Sequence, residues 1–117
     1  MGGVVYNRMK LNGMIKWPNG DKAWYLNNEL HREDGPAIEW VNGDKAWYLN
    51  GEHHRGDGLP AIEYIDSTKI WCLNNELHRE DGPAIEYANG DKRWFLNGKP
   101  VTQNEVEWNA IKDLFVL

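Results

Sequence analysis

Residues 36–58 read PAIEWVNGDKAWYLNGEHHRGDG, and close copies of this stretch lie on both sides of it. The sequence divides into four units, which cover residues 13–35, 36–59, 60–82 and 83–100. A tryptophan marks each unit, at Trp24, Trp47, Trp71 and Trp94. These markers are 23, 24 and 23 residues apart, and the extra residue, Leu59, predicts a local loop expansion. Such self-similarity is typical of proteins built from stacked structural units.

Each unit has the pattern of a β-hairpin. An Asn-Gly pair separates two alternating stretches in three of the units, at Asn19-Gly20, Asn42-Gly43 and Asn89-Gly90. This pair is the strongest short-range hairpin signal, and a two-residue turn at Asn42-Gly43 pairs Ile38 with Trp47. Because side chains alternate across a sheet, we expect two distinct faces. One face then carries Ile38, Trp40 and Trp47, and the other carries Ala37, Glu39 and Tyr48.

Aligned units predict rows of identical side chains across the sheet. The isoleucine row, with the marker tryptophans, is the expected core; it contains Ile15, Ile38, Ile62 and Ile85. Residues 1–12 are predicted to be a degenerate half-repeat, because residues 9–13 read MKLNG where a unit reads WYLNG.

After residue 100 the apolar period changes to that of a helix. Thr102 and Glu105 fit a capping box, and Val101 and Val106 fit a hydrophobic staple. The expected apolar stripe contains Val106, Ala110, Ile111, Leu114 and Phe115. The sequence therefore predicts one all-β domain over residues 1–117, an elongated antiparallel sheet of stacked hairpins, with a short α-helix over residues 101–117 that caps its last edge.

Charge and cysteine content limit the classes of partner. The formal net charge is −5, and no basic stripe is present, so we expect no direct binding of nucleic acid and favour a partner with a basic surface. One cysteine, Cys72, cannot form a disulfide framework within the chain. Residues 1–10 lack the apolar segment of a signal peptide, and no apolar run reaches membrane-spanning length. We therefore expect a cytoplasmic protein without membrane contact.

Two surfaces are candidate binding sites. The first is the sheet face expected to combine aromatic and acidic groups, namely Tyr25, Glu39, Tyr48, Glu63, Glu86 and Phe95. The second is the repeated His-Arg-Glu-Asp loop edge with Arg32, Arg55 and Arg79. The alternative for the face is ordinary sheet packing. The alternative for the arginines is that they join loops by hydrogen bonds to neighbouring carboxylates or carbonyls.

The recurring histidines His31, His54 and His78 do not predict a metal site. Equivalent residues lie two strands apart, roughly 10 Å, whereas two ligands of one zinc ion lie about 3–4 Å from each other. The nearly identical His-Arg-Glu-Asp clusters also lack the contrast between acid and base that catalysis needs. Ser67 has no nearby base and Cys72 has no adjacent histidine. We therefore expect no catalytic residue, no cofactor and no enzymatic activity.

The run GPAIEYANGDKRWFLNGK, residues 82–99, resembles the MORN repeat, and this resemblance covers residues 13–100. The motifs WYLNG and HREDGPA are closest to a subgroup associated with bacteriophages, large DNA viruses and bacteria. The resemblance implies an elongated, twisted antiparallel sheet that binds or scaffolds rather than catalyses. The chain departs from the usual repeat in its Pro-Ala after Gly and in its Trp where Tyr is common. Together with the acidic charge, this departure argues against the lipid binding proposed for some MORN proteins.

Three classes of function follow from these patterns. The leading hypothesis is a non-catalytic protein-binding module, in one form a phage-encoded inhibitor of a host defence protein such as a CRISPR effector. The second is a protein that sequesters a small molecule, such as a nucleotide signal, between aromatic rows and arginines. The third is a scaffold that self-assembles through its sheet ends, and a homodimer is compatible with each class.

Overall fold

The computed structural model describes residues 10–115, which form a mainly β structure. Its principal-axis extents are 63 × 30 × 23 Å. The strands are β1 (Gly13–Lys16), β2 (Lys22–Leu26), β3 (Glu29–Leu30), β4 (Ile38–Glu39), β5 (Lys45–Ala46), β6 (Tyr48–Leu49), β7 (Glu52–His53), β8 (Ile62–Glu63), β9 (Lys69–Ile70), β10 (Cys72–Leu73), β11 (Glu76–Leu77), β12 (Ile85–Glu86), β13 (Lys92–Leu96) and β14 (Lys99–Thr102). One α-helix, α1 (Glu105–Ile111), leads into a 3₁₀ turn over Lys112–Phe115. None of the helical segments described is long and apolar enough to cross a membrane.

The Asn-Gly hairpins close with three-residue loops rather than the predicted two-residue turns. In the second unit, Trp40 N donates to Asp44 O at 3.0 Å and Gly43 N donates to Trp40 O at 2.9 Å. Gly43 has a φ of +101°, as expected for a type I turn followed by a left-handed residue. The same pair of bonds recurs around Gly20 and Gly90.

The longer loop shifts the strand register by one residue. Ile38 pairs with Ala46 rather than Trp47, and Glu39 pairs with Lys45. A shift of one residue exchanges the two faces of a strand, so the predicted assignment of faces is wrong. Ile38 and Trp40 therefore lie on the face opposite to Glu39 and Trp47.

We name the two faces by their characteristic residues. The arginine face carries the marker tryptophans with Arg32, Arg55, Arg79, Glu39, Glu63 and Glu86. The isoleucine face carries Ile15, Ile38, Ile62 and Ile85 with Tyr25, Tyr48, Cys72 and Phe95. The predicted grouping of Tyr25, Tyr48 and Phe95 beside the three glutamates is consequently wrong.

The units join edge to edge in one antiparallel sheet. Its strand order is β1-β2-β4-β5-β8-β9-β12-β13-β14, with β3 also paired to β2, and β6-β7 and β10-β11 form two separate short hairpins. At each junction the backbone N–H of a marker tryptophan donates to an alanine carbonyl of the next unit, as in Trp71 to Ala84 at 2.8 Å. Side chains add further bonds, since the Asp44 carboxylate accepts from Ile65 N at 2.8 Å. The prediction of a large antiparallel sheet with a short C-terminal helix is confirmed.

The core differs from the predicted rows of isoleucine and tryptophan. Five alanines are buried, namely Ala23, Ala37, Ala46, Ala61 and Ala84. Trp71, Trp94 and Ile85 are also buried, but Trp24, Trp47 and the other three row isoleucines stay half-buried. Small side chains can be hidden by their immediate neighbours, whereas a large side chain needs a covering layer.

The segment before the first unit aligns differently from its sequence echo. Leu11 O accepts from Asn28 N at 3.0 Å, as Leu30 O accepts from Gly51 N at 2.9 Å. The Asn12 side chain accepts from Asn27 N at 2.9 Å, which is the role of a histidine in the later units. Residues 11–12 therefore occupy the position of Leu30-His31 rather than the end of a WYLNG strand. The rest of the predicted half-repeat, residues 1–9, lies outside the described residues.

The C-terminal helix is shorter than predicted and begins later. Thr102 belongs to β14, and the N-cap is Asn104, whose side chain accepts from Glu107 N at 2.8 Å. The predicted stripe is also wrong, because Val106 and Leu114 are 79% and 80% exposed while Trp108 is the buried residue of α1. The buried side of the helix is therefore the side that carries Trp108, and Val106 lies outside it. The helix packs on β14, the last strand of the sheet.

Candidate functional site

Each arginine of the loops lies between an aromatic ring and carboxylates. The Arg79 guanidinium carbon lies 3.8 Å from the centroid of the Trp71 ring. Its Nη1 donates to Glu86 Oε2 at 2.7 Å and to Pro83 O at 3.1 Å, and its Nε donates to Asp81 at 3.0 Å. Cation–π stacking and charge-assisted hydrogen bonds thus act on one group. Because Trp71 belongs to the third unit and Glu86 to the fourth, this cluster joins two units.

The same cluster occurs at two further junctions. Arg32 stacks on Trp24 at 3.7 Å and binds Glu39 at 3.0 Å. Arg55 stacks on Trp47 at 3.7 Å and binds Glu63 at 2.7 Å. The hypothesis that the arginines join loops through carboxylates and carbonyls is therefore confirmed.

Neighbouring residues make room for the guanidinium. A Cβ added at Gly82 would lie 3.0 Å from Arg79 Cζ, and one added at Gly35 would lie equally close to Arg32 Cζ. Ala84, two residues after Gly82, is fully buried. At the second junction the Leu59 insertion is accommodated in the loop, and Arg55 Nη1 still reaches Pro60 O at 3.1 Å.

The histidine column also joins units. His31 Nδ1 accepts from Asn50 N at 2.9 Å, and His78 Nδ1 accepts from Asn97 N at 2.9 Å. His54 Nδ1 accepts from Asn74 N at 3.3 Å. An accepting Nδ1 places the proton of a neutral ring on Nε2. Among residues 10–115, no three His, Cys, Asp or Glu side chains are grouped closely enough to hold a metal ion.

The glutamates of the arginine face do not form an acidic surface. Each lies in the sheet between two lysines, as Glu63 lies between Lys45 and Lys69, and each binds an arginine. Opposite charges across strands stabilise a sheet by roughly 0.2–1 kcal/mol per pair. Glu39, Glu63 and Glu86, with Arg32, Arg55 and Arg79, are therefore engaged in contacts within the chain.

The isoleucine face keeps large apolar side chains accessible. Its central row runs across the sheet as Ile15, Ala23, Ile38, Ala46, Ile62, Ile70 and Ile85 and ends at Arg93. Beside this row, at the turns, lies a second row that is 37–41% exposed, formed by Trp17, Trp40, Tyr64 and Tyr87. A cavity of about 500 Å³ lies between Trp17 and Trp40, with Ile38 and Tyr25 in its lining. A cavity of about 360 Å³ lies between Trp40 and Tyr64.

The other border of the isoleucine row contains three titratable groups. The Tyr48 hydroxyl lies 2.9 Å from His53 Nε2, and the two ring centroids are 4.1 Å apart. Burial lowers the pKa of His53 and, with nearby Cys72 and Tyr64, raises that of Tyr48. Burial raises the pKa of the Cys72 thiol to about 11, so the thiol is protonated near neutral pH. These shifts favour the uncharged forms and keep this border apolar.

Carboxylates line both long edges of the sheet. Each of the four turns carries one, at Asp21, Asp44, Asp66 and Asp91. The opposite edge carries Glu29, Glu52 and Glu76, which lie in the short hairpins. None of the ion pairs within residues 10–115 involves these seven carboxylates. Asp21 and Asp44 line cavities of the isoleucine face. The three glutamates pair with Leu26, Leu49 and Leu73, which lie on the side of the marker tryptophans, so these glutamates belong to the arginine face.

The predicted site residues separate into two groups. Tyr25, Tyr48 and Phe95 lie on the isoleucine face, whereas the three glutamates and three arginines are brought together on the opposite face. Sequence reasoning left out Trp17, Trp40, Tyr64 and Tyr87 as site residues, although their alternation with the isoleucines was visible. The assumed two-residue turn placed them with the core tryptophans.

Comparison with protein-family models, curated proteins and solved structures finds no match for this chain. The resemblance to the MORN repeat therefore stays a prediction from the sequence motifs.

The arginine clusters predict a steric cost at one glycine. We expect Gly82→Ala to lower the free energy of unfolding by about 1–3 kcal/mol, because the new Cβ overpacks against the Arg79 guanidinium. The matched control is Gly56→Ala, where an added Cβ meets nothing within 4 Å. Urea denaturation of both variants measures the effect. Equal stabilities would show that the guanidinium position does not constrain Gly82.

His53 predicts a pH dependence of stability. Its pKa is lower in the folded chain than the unfolded value of about 6.5, so the unfolded chain binds more protons at low pH. The stability of the wild type should therefore fall, relative to His53→Leu, as the pH drops below about 6.5. Leu30 and Leu77 occupy the equivalent strand position, which makes leucine the matched replacement. Urea midpoints from pH 8 to 5 test this, and parallel pH curves for the two proteins would contradict it.

Proposed function

We propose that this chain is a non-catalytic binding protein whose isoleucine face holds a segment of a protein partner with apolar and basic side chains. The observation that carries this proposal is the unequal use of the two faces. On the arginine face the guanidinium groups cover the marker tryptophans and bind the sheet glutamates. The isoleucine face instead leaves the row of Trp17, Trp40 and Tyr64 about 40% exposed. A contiguous apolar patch with a polar border is characteristic of an interaction surface.

The charge distribution supports a basic partner. Asp21 and Asp44, which take part in none of the ion pairs of residues 10–115, line the cavities of the isoleucine face, so Lys and Arg side chains that flank an apolar segment are attracted to its turn edge. Complementary charge increases the association rate and is screened by salt. An inhibitor that occupies a basic site on a host protein, which the sequence resemblance suggests, is one form that such a protein takes.

Two other functions find less support in the geometry. A nucleotide-binding site would need arginines next to the exposed aromatic rows. Among the arginines of residues 10–115, Arg32, Arg55 and Arg79 lie on the opposite face and are each bound to a carboxylate. Arg93 lies on the isoleucine face, but at the end of the sheet away from Trp17 and Trp40. Self-assembly through sheet ends would use the edge strand β1, and light scattering of the full chain distinguishes it from binding by a monomer.

Selection from a displayed random-peptide library tests the proposal. We expect enriched peptides to contain Lys or Arg with apolar residues, and to bind the wild-type chain at low salt. The double variant Trp40→Ala/Tyr64→Ala should weaken their binding at least tenfold, because aromatic side chains dominate the energy of protein interfaces. The control Lys45→Ala alters the arginine face and should leave affinity unchanged. Peptides that bind the double variant as well as the wild type, or a selection that enriches none, would contradict the proposal.

A further inference from the structure

The isoleucine face repeats at the spacing of one unit. Each unit adds two strands to the sheet, and neighbouring strands are about 4.8 Å apart, so equivalent side chains recur about every 9.6 Å. The cavities follow this spacing, since one lies between Trp17 and Trp40 and another between Trp40 and Tyr64. A segment that crosses the strands therefore meets a recess between Trp17 and Trp40 and a second recess one unit further on.

Among the regular backbone conformations, we look for one that points a side chain in the same direction about every 9.6 Å. A β-strand rises about 3.3 Å per residue and presents the same side every second residue, at about 6.6 Å. An α-helix has a pitch of about 5.4 Å. A polyproline II helix has three residues per turn and rises about 3.1 Å per residue, which gives about 9.3 Å. This repeat differs from that of the sheet by only about 0.3 Å per unit.

The side chains that line the recesses suit this backbone. Trp17, Trp40 and Tyr64 present partly exposed aromatic rings, and aromatic-lined grooves are the usual receptors for proline-rich segments. Such segments lose little conformational entropy on binding because they are already extended. Asp21 and Asp44 line the same cavities as the rings, so an adjacent basic residue can approach a carboxylate at each of the two cavities.

We propose that the isoleucine face binds a proline-rich segment in the polyproline II conformation, with an apolar residue at every third position and basic residues between. This inference rests on the proposed function and specifies its ligand class. The segment runs across the strands, along the long axis of the sheet. Successive apolar side chains enter the two recesses, the first between Trp17 and Trp40 and the second between Trp40 and Tyr64.

Two peptides of the same composition test the inference with the full-length chain. The first repeats Leu-Pro-Lys over about fifteen residues, which spans about 46 Å as a polyproline II helix. The second contains the same residues in an order that breaks the period of three. We expect the periodic peptide to bind at least tenfold more tightly by titration calorimetry, and Tyr64→Ala to weaken it severalfold. Lys45→Ala, on the arginine face, is the matched control.

Indole N–H signals in NMR spectra locate the bound peptide. The signals of Trp17 and Trp40 should shift on titration, while those of Trp24 and Trp71 on the arginine face should not. Equal affinity of the two peptides, or failure of both to bind, would overturn the polyproline II inference. The library selection distinguishes the two proposals. Selected peptides that bind the wild type better than Trp40→Ala/Tyr64→Ala but lack a period of three would refute this inference and leave the proposed function standing.

Discussion

A guanidinium held between a tryptophan ring and a carboxylate of the next unit is the interaction on which the sheet depends. The strands of the middle units are only two residues long, so backbone ladders alone offer few hydrogen bonds at each junction. Arg32, Arg55 and Arg79 add stacking, an ion pair and a bond to a proline carbonyl there. The repeated loop motif is therefore explained by structure: its histidine, arginine, glycine and alanine each serve the junction between units.

This use of charge divides the molecule into a joining face and an accessible face. Once the arginines and the sheet glutamates neutralise each other, the remaining carboxylates lie along the two edges and the apolar rows lie between them. Because the arginine clusters that join the units lie on the opposite face, the aromatic residues of the isoleucine face remain available to a partner. The binding proposal and the stability of the fold thus rest on different sets of residues, which allows them to be tested separately.

The β class and the C-terminal helix could be predicted because turn residues and apolar periods are local signals. The assignment of side chains to the two faces could not be predicted, because Asn42-Gly43 is compatible with loops of two or three residues. A difference of one residue in loop length moves Ile38 to the face opposite Trp47. The helix cap was misplaced for a similar reason, since both Thr102 and Asn104 can cap a helix. Hydrogen bonds from Arg79 to neighbouring carboxylates were predicted. Its stacking on Trp71 was not, because sequence spacing does not show which side chains face each other.

A double-mutant cycle between Arg79 and Glu86 tests most directly whether the arginine clusters join the units. Urea denaturation of the wild type, Arg79→Met, Glu86→Gln and the double variant gives the coupling free energy, and a parallel cycle on Lys69 and Glu86 serves as control. We expect a coupling of about 1–2 kcal/mol for Arg79 and a smaller one, about 0.2–1 kcal/mol, for Lys69. Equal and small couplings would show that the cluster is a surface contact and that the backbone ladder holds the units together.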